Sequence, residues 1–172
     1  KGETRTPEFL KLNPVGQIPL ARWPDGRSLT QSNAIIWWMA QETASPLIPA
    51  NAFQRAQMQS WLFWEQYSHE TSIAVRRFRK HYLHLPDAEI DPQLKIKGEA
   101  ALAILNRQLS DTEYLVGEGM TLADIALVAY TRLAHEGGFT LDDYPSVLAW
   151  ITRIETDLGL APLSTNSKNE AV

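Results

Sequence analysis

Residues 12–40 read LNPVGQIPLARWPDGRSLTQSNAIIWWMA, and this stretch decides how the rest of the chain must be read. Pro14, Gly16 and Pro19 crowd the entry to a short strand, Ile18 to Trp23. Pro19 stands near its start, where a missing N–H is tolerated. Pro24-Asp25-Gly26 supplies turn chemistry, so Arg27 to Thr30 returns antiparallel. Gln31-Ser32-Asn33 then opens a helix, with Ser32 or Asn33 as its cap, before the apolar run from Ala34 to Trp38.

Two features of this stretch point to chemistry. A helix start carries N–H groups without intrahelical partners and a partial positive charge, so a serine there makes a site for a carboxylate-sized anion. An X-Pro bond at a strand entrance can be cis, which turns the backbone groups of the preceding residue outward, towards a ligand. The plainer reading is a capped helix after a hairpin, and spacing alone leaves both open.

The order of residues adds to this. Asn13-Pro14-Val15-Gly16-Gln17-Ile18-Pro19, followed twelve residues on by Gln31-Ser32-Asn33-Ala34-Ile35, resembles the glutathione-binding half of glutathione S-transferases of the bacterial, cytosolic type. Gln31 stands where many members carry Glu. The resemblance implies a thioredoxin-like α/β domain of which only the C-terminal half, helix, β-hairpin and helix, is present, followed by an all-helical bundle. On it, Gln31 and Ser32 hold the γ-glutamyl carboxylate of glutathione. Ile18 offers backbone N–H and C=O to the cysteinyl part, held in place by Pro19, and Lys11 and Asn13 lie beside the pocket, where the plainer reading is a solvated Lys and a turn Asn. It also implies a strand, a helix and a second strand ahead of Lys1, carrying the Ser, Tyr or Cys that stabilises the thiolate. A hairpin alone is marginal, which agrees with that expectation.

The bulk properties narrow the function classes. At 172 residues the chain holds one domain or two small ones, and 44% hydrophobic residues with six Trp suffice for a sizeable core. A net charge of −4 gives no sign of nucleic acid or anionic membrane as partner. The purest apolar run, Ala34 to Ala40, is far too short to span a bilayer. With no cysteine there is no disulfide, thiolate metal site or thiol nucleophile within these residues, which fits a cytoplasmic protein.

Thr6-Pro7-Glu8 starts a short helix ending at Asn13-Pro14. Two prolines between Thr43 and Asn51 mark a linker. The expected division is therefore 1–45, the partial glutathione-binding domain; 46–52, the linker; 53–163, the helical domain; and 164–172, a frayed tail. From Phe53 a helical pattern reaches about Leu83, with one stripe through Trp61, Trp64, Ser68, Thr71, Val75, Phe78 and Tyr82. A second stripe is Met58, Leu62, His69 and Ile73. Glu65, His69 and Glu70 read as a solvated or salt-bridged face. The resemblance adds that this helix lines the cleft and meets a partner subunit, with Tyr67, His69 and Glu70 on the electrophile side.

Asp91-Pro92 caps a further helix whose apolar face includes Gly98, a position for close contact with a neighbour. Thr121-Leu122-Ala123-Asp124 is a capping box with Asp in place of Glu, opening a buried helix that runs to about His135. Its surroundings, Met120 to Ile125, resemble the transferases' second signature, a folding motif. Pro145 starts a last helix with Leu148, Ile151, Ile154 and Leu158 inward and Trp150 alongside. His81 and His84 with Asp87 are followed by no further well-spaced ligand, and a helix end explains the histidines, so no metal site is expected.

The resemblance implies conjugation of glutathione, as co-substrate, to a small hydrophobic electrophile. Glutathione-dependent disulfide or peroxide reduction on the same fold and a non-catalytic binding or assembly module are the alternatives. Trp37, Trp38, Trp61 and Trp64 are more aromatic surface than two small domains bury readily, so a homodimer is expected.

Overall fold

The computed structural model describes residues 2–161; the expected tail at 164–172 lies outside them. The chain divides into two compact units, Lys1–Ile48 and Pro49–Val172.

In the first unit, Thr6 caps helix α1 (Pro7–Leu12), its hydroxyl accepting from the Phe9 N–H at 3.2 Å, and Pro7 occupies the first turn, where its missing N–H is harmless. Strands β1 (Leu20–Arg22) and β2 (Ser28–Thr30) pair antiparallel, Leu20 with Thr30, Ala21 with Leu29 and Arg22 with Ser28. The reversal uses Gly26 at φ 90°, and Asp25 Oδ1 accepts from the Arg27 N–H at 2.9 Å. Helix α2 (Ser32–Glu42) follows at once. The Trp23 and Trp38 rings meet edge-on at 4.3 Å between centroids.

The second unit is helical. Asn51 caps α3 (Ala52–Trp64), which continues without a break through wide π-helical turns (Glu65–Ala74), α4 (Val75–Arg77) and a further wide turn (Phe78–Tyr82). The widening shows in i→i−5 bonds, Val75 N–H to Glu70 O and Leu83 N–H to Phe78 O. Asp91 caps α5 (Pro92–Leu109), Thr121 caps α6 (Leu122–Thr131), and α7 (Pro145–Asp157) opens with Pro145. The Glu65–Ala74 segment packs on α5 and α6, and α7 packs on both of those helices.

Burial selects the second stripe of the long helix as the core face: Met58, Leu62, His69 and Ile73 are buried, and Glu65, Ser72 and Arg76 with them. The aromatic stripe lies outside it, Trp61 and Trp64 half-buried and Phe78 and Tyr82 exposed. The expectation of a solvated Glu65 and His69 is therefore corrected. Polar groups enter this core because partners await them: Arg76 Nε donates to Gly137 O at 2.8 Å and Nη2 to Asp87 Oδ1 at 2.9 Å.

Two further corrections concern the later helices. Helix α6 stops at Thr131 and a short 3-10 turn, Ala134–Gly137, leads to Gly138 at φ 79°. In α7, Trp150 is fully buried whereas Leu158 is exposed, because the helix ends before it. Gly98 does mark a close approach: a side chain there would run into the Phe139 ring.

Asp124 does more than cap. Its Oδ2 accepts from the Thr121 N–H at 2.8 Å and the Thr121 hydroxyl at 2.9 Å, and its Oδ1 accepts from the Leu115 N–H at 3.0 Å and Trp150 Nε1–H at 2.9 Å. One buried carboxylate thus joins the start of α6, the loop before it and α7. Thr121→Ala should cost about 1 kcal/mol of stability, the usual loss of a cap. Asp124→Ala should cost at least about 3 kcal/mol, since it strips partners from several buried donors worth about 1–3 kcal/mol each. Denaturant unfolding of both variants checks this, and equal losses would contradict the wider role of Asp124.

Candidate functional site

The site is built at one end of the hairpin. Pairing Leu20 with Thr30 forces the residues just before β1 and just after β2 to lie side by side. Those residues are Ile18-Pro19 and Gln31-Ser32. The Ile18–Pro19 peptide is cis, and Ile18 is 76% exposed, unusual for an isoleucine.

Gln31, and neither Ser32 nor Asn33, holds the cap position. Its carbonyl accepts from the Ile35 N–H at 3.0 Å, and its side chain makes no capping bond. Going from strand to helix within one residue puts Gln31 at φ 70°, ψ 117°, a conformation costing a non-glycine residue about 1–3 kcal/mol. Such strain is retained where it aims a side chain or a helix at something. Ser32 becomes the first helical residue, exposed, with its N–H among the donors a helix start leaves without intrahelical partners. The macrodipole adds partial positive charge there.

The loop leading to Ile18 is tightly held. Asn13, only 4% exposed, accepts from the Val15 N–H through Oδ1 at 3.2 Å and donates from Nδ2 to Gln17 O at 2.6 Å. Gly16 is buried at φ 68°, and a Cβ on it would lie 2.5 Å from Arg5 Nη1, which itself donates to Val15 O at 3.2 Å. Only glycine suits this position. Lys11 lies exposed in the last turn of α1. The sequence places Asn13 beside the pocket but does not show its bonds or the role of Arg5, because both side chains act on the backbone of the loop. The Asn-Pro pair was the available signal, since Asn readily bonds the backbone two residues on.

In the second unit, Tyr67, His69 and Glu70 do not come together. Residues two apart on a helix do not share a face. Tyr67 is 86% exposed and lines a groove of about 510 Å³ between the long helix, with Trp64 and Thr71, and α5, with Lys97, Ala100 and Ile104. Glu70 pairs with its own helix: Gln66 Nε2 donates to both Glu65 Oε2 and Glu70 Oε2. The Tyr130 hydroxyl is held above its ordinary pKa, first by burial and then by the neighbouring Glu70 and Glu65 carboxylates.

His69 belongs to the core and leaves the expected electrophile wall. It is fully buried, its Nε2 2.9 Å from Thr131 Oγ1, and Thr131 spends its own hydrogen on Leu127 O at 2.6 Å. The imidazole therefore carries its proton on Nε2, and Nδ1 has no hydrogen-bond partner. Burial lowers its pKa from 6.5 to about 3, so the ring is neutral at ordinary pH. Among the described residues no group of three or more His, Cys, Asp or Glu side chains suits a metal ion, and no helix is long and apolar enough to cross a membrane.

Comparison with known proteins bears on this geometry. Residues 1–42 match the family described as "Glutathione S-transferase, N-terminal domain", and residues 72–157 match "Glutathione S-transferase, C-terminal domain". The chain is 44% identical to a glutathione S-transferase of known structure from Pseudomonas fluorescens, with 94% of this chain and 80% of that one covered and a TM-score of 0.88. It is 40% identical to one from Xanthobacter autotrophicus, covering 94% and 78%, with a TM-score of 0.86. It is also 38% identical over 125 residues to elongation factor 1-gamma of Prunus avium, 70% of this chain but only 29% of that protein's length.

The buried histidine yields a pH dependence. Unfolded, His69 takes up its proton near pH 6.5; folded, only near pH 3. Between those values the unfolded chain binds more protons, so stability falls as pH falls through the window, by up to about 1.4 kcal/mol per pH unit. His69→Gln should remove that contribution to the slope between pH 6 and pH 4, as read by urea unfolding at several pH values. Identical slopes in variant and wild type would show that His69 is not held neutral.

Proposed function

Because the chain belongs to the glutathione S-transferase family, we propose that it binds glutathione at the end of the hairpin and helps deliver its thiolate to a small hydrophobic electrophile. The observation that carries this reading is the juxtaposition of Ile18-Pro19 with the start of α2, fixed by the Leu20–Thr30 pair. On this reading Ser32 and Gln31 receive the γ-glutamyl carboxylate, where the helix dipole favours an anion. Ile18 pairs with the cysteinyl backbone through its N–H and C=O, and Lys11 contributes positive charge nearby. These residues bind and orient. The thiol gives up its proton to solvent, the sulfur lone pair forms the new bond to the electrophilic carbon, and the leaving group departs with the electrons of the bond that breaks. The cytoplasm, with its supply of glutathione, is the compartment this activity requires.

The aromatic face of the long helix supports a homodimer. Phe63 and Tyr67 are exposed beside half-buried Trp61 and Trp64, and apolar surface of this kind marks an interface. With Tyr67 given to that contact and His69 buried in the core, Glu70, near the Tyr130 hydroxyl, is left for the electrophile side. The likeness to elongation factor 1-gamma, a protein named for translation, favours a second reading as a binding or assembly module.

Two experiments test these proposals in the full-length protein. Ser32→Ala should weaken glutathione binding by about 1.5–3 kcal/mol, the range for a hydrogen bond to a charged group. Because that carboxylate lies far from the sulfur, the KM for glutathione should rise more than kcat falls. Calorimetric titration checks the affinity, with the Tm measured in parallel because Ser32 also begins α2. Equal affinities, or no binding by the wild type, would leave the binding-module reading ahead. Sedimentation at micromolar concentration should give a dimer that Tyr67→Glu shifts toward monomer, and a wild type that is monomeric throughout would contradict the interface.

A further inference from the structure

We propose that Asn13 is a positioning residue for glutathione: its side-chain amide sets the plane of the Gln17–Ile18 peptide and thereby aims the Ile18 N–H. The proposal rests on the glutathione-binding reading above and assigns the residue that makes that reading geometrically possible.

A buried asparagine at the end of a short helix invites a simpler account, in which it closes α1. The backbone already does that work, since the Asn13 N–H donates to Phe9 O at 2.9 Å. The Asn13 carbonyl also stabilises the turn, accepting from the Gly16 N–H at 2.9 Å. The side chain is thus free for another task, and both of its ends are committed. Oδ1 accepts from the Val15 N–H at the start of the loop, and Nδ2 donates to Gln17 O at its end, at 2.6 Å the shorter of the two bonds.

The second bond matters because of what shares its peptide unit. The Gln17 carbonyl and the Ile18 N–H belong to one planar trans peptide and point in opposite directions. Holding the carbonyl against Asn13 therefore fixes the direction of the N–H. Donation to the carbonyl also polarises the peptide and strengthens the N–H as a donor, by roughly 10–30% in cooperative hydrogen-bond chains. Ile18 itself is exposed, so packing of its side chain does not hold this peptide in place. With Pro19 on its other side, Ile18 is followed by a residue that has no N–H. The peptide ahead of it must then supply the donor, and Asn13 is what orients that peptide.

The test uses full-length protein and two substitutions, Asn13→Asp and Asn13→Ser. Each keeps an oxygen able to accept from the Val15 N–H and loses the Nδ2 donor to Gln17 O: aspartate offers only acceptors, and the serine hydroxyl, one atom nearer the backbone, does not reach as far as Nδ2 and adds no charge. Glutathione affinity is measured by calorimetry, and the pKa of the bound thiol by ultraviolet absorbance of the thiolate. Both variants should bind about tenfold more weakly, the effect of losing one well-placed hydrogen bond. Both should also raise the pKa of the bound thiol, because a misaimed cysteinyl backbone moves the sulfur out of place. A merely structural role for Asn13 would lower the Tm and leave both readouts of the folded protein unchanged, which would overturn the proposal.

Ser32→Ala is measured alongside. If it weakens binding and the Asn13 variants do not, the Asn13 assignment falls and the glutathione reading stands. If the wild type does not bind glutathione, both fall. Should neither Asn13 variant fold, nuclear magnetic resonance on the wild type decides. A coupling across the hydrogen bond from Asn13 Nδ2 to the Gln17 carbonyl, with a large shift of the Ile18 amide on adding glutathione, is the expected result. An Ile18 amide indifferent to glutathione would overturn the proposal.

Discussion

The pairing of Leu20 with Thr30 is the constraint on which the candidate site depends. A register slip of one residue would turn every side chain of β2 to the opposite face and carry the start of α2 away from Ile18. The register is set by the reversal at Pro24-Asp25-Gly26, where Gly26 adopts φ 90° and the Asp25 carboxylate closes on the Arg27 N–H. A turn of three residues thus determines whether a helix start and an exposed loop backbone stand together. The strain at Gln31 follows from the same economy, because the chain has a single residue in which to leave the strand and enter the helix.

The helical unit depends on buried polar groups that find partners far away in sequence. Asp124 gathers donors from Thr121, Leu115 and Trp150, and Arg76 reaches Gly137 and Asp87. His69 is held neutral between Trp64 and Thr131. Each such group would destabilise the core if left alone, and each instead ties two elements together. With the Met58, Leu62, His69 and Ile73 stripe turned inward, Trp64 only flanks the core while Phe63, Tyr67, Phe78 and Tyr82 stay exposed, and this is the physical basis for proposing a second subunit there.

Local chemistry was legible in the sequence. Thr6-Pro7, Pro24-Asp25-Gly26, Asp91-Pro92 and Thr121 to Asp124 each carry their own instructions within a few residues, and the structure places a cap or a turn at each. The choice of core stripe on the long helix was not legible. Trp61, Trp64 and Phe78 outrank Glu65, His69 and Arg76 in hydrophobicity, and it takes partners from elsewhere in the chain, Thr131 for His69 and Gly137 and Asp87 for Arg76, to let the polar side chains in beside Met58, Leu62 and Ile73. The cap position of α2 is hidden for a related reason: Ser32 and Asn33 have the better capping side chains, but the hairpin ends so abruptly that Gln31 takes the position. Of the site, the order of motifs was readable, whereas the clamp formed by Asn13 depends on a loop conformation that no spacing rule specifies.

The central claim is that the hairpin end and the start of α2 form one binding site for glutathione. A crystal structure of the full-length protein grown with glutathione tests it most directly. The account predicts the γ-glutamyl carboxylate within hydrogen-bonding distance of the Ser32 hydroxyl and N–H, with the cysteinyl backbone lying against Ile18. Glutathione seated elsewhere on the protein, or a carboxylate that makes no contact with the first turn of α2, would contradict it.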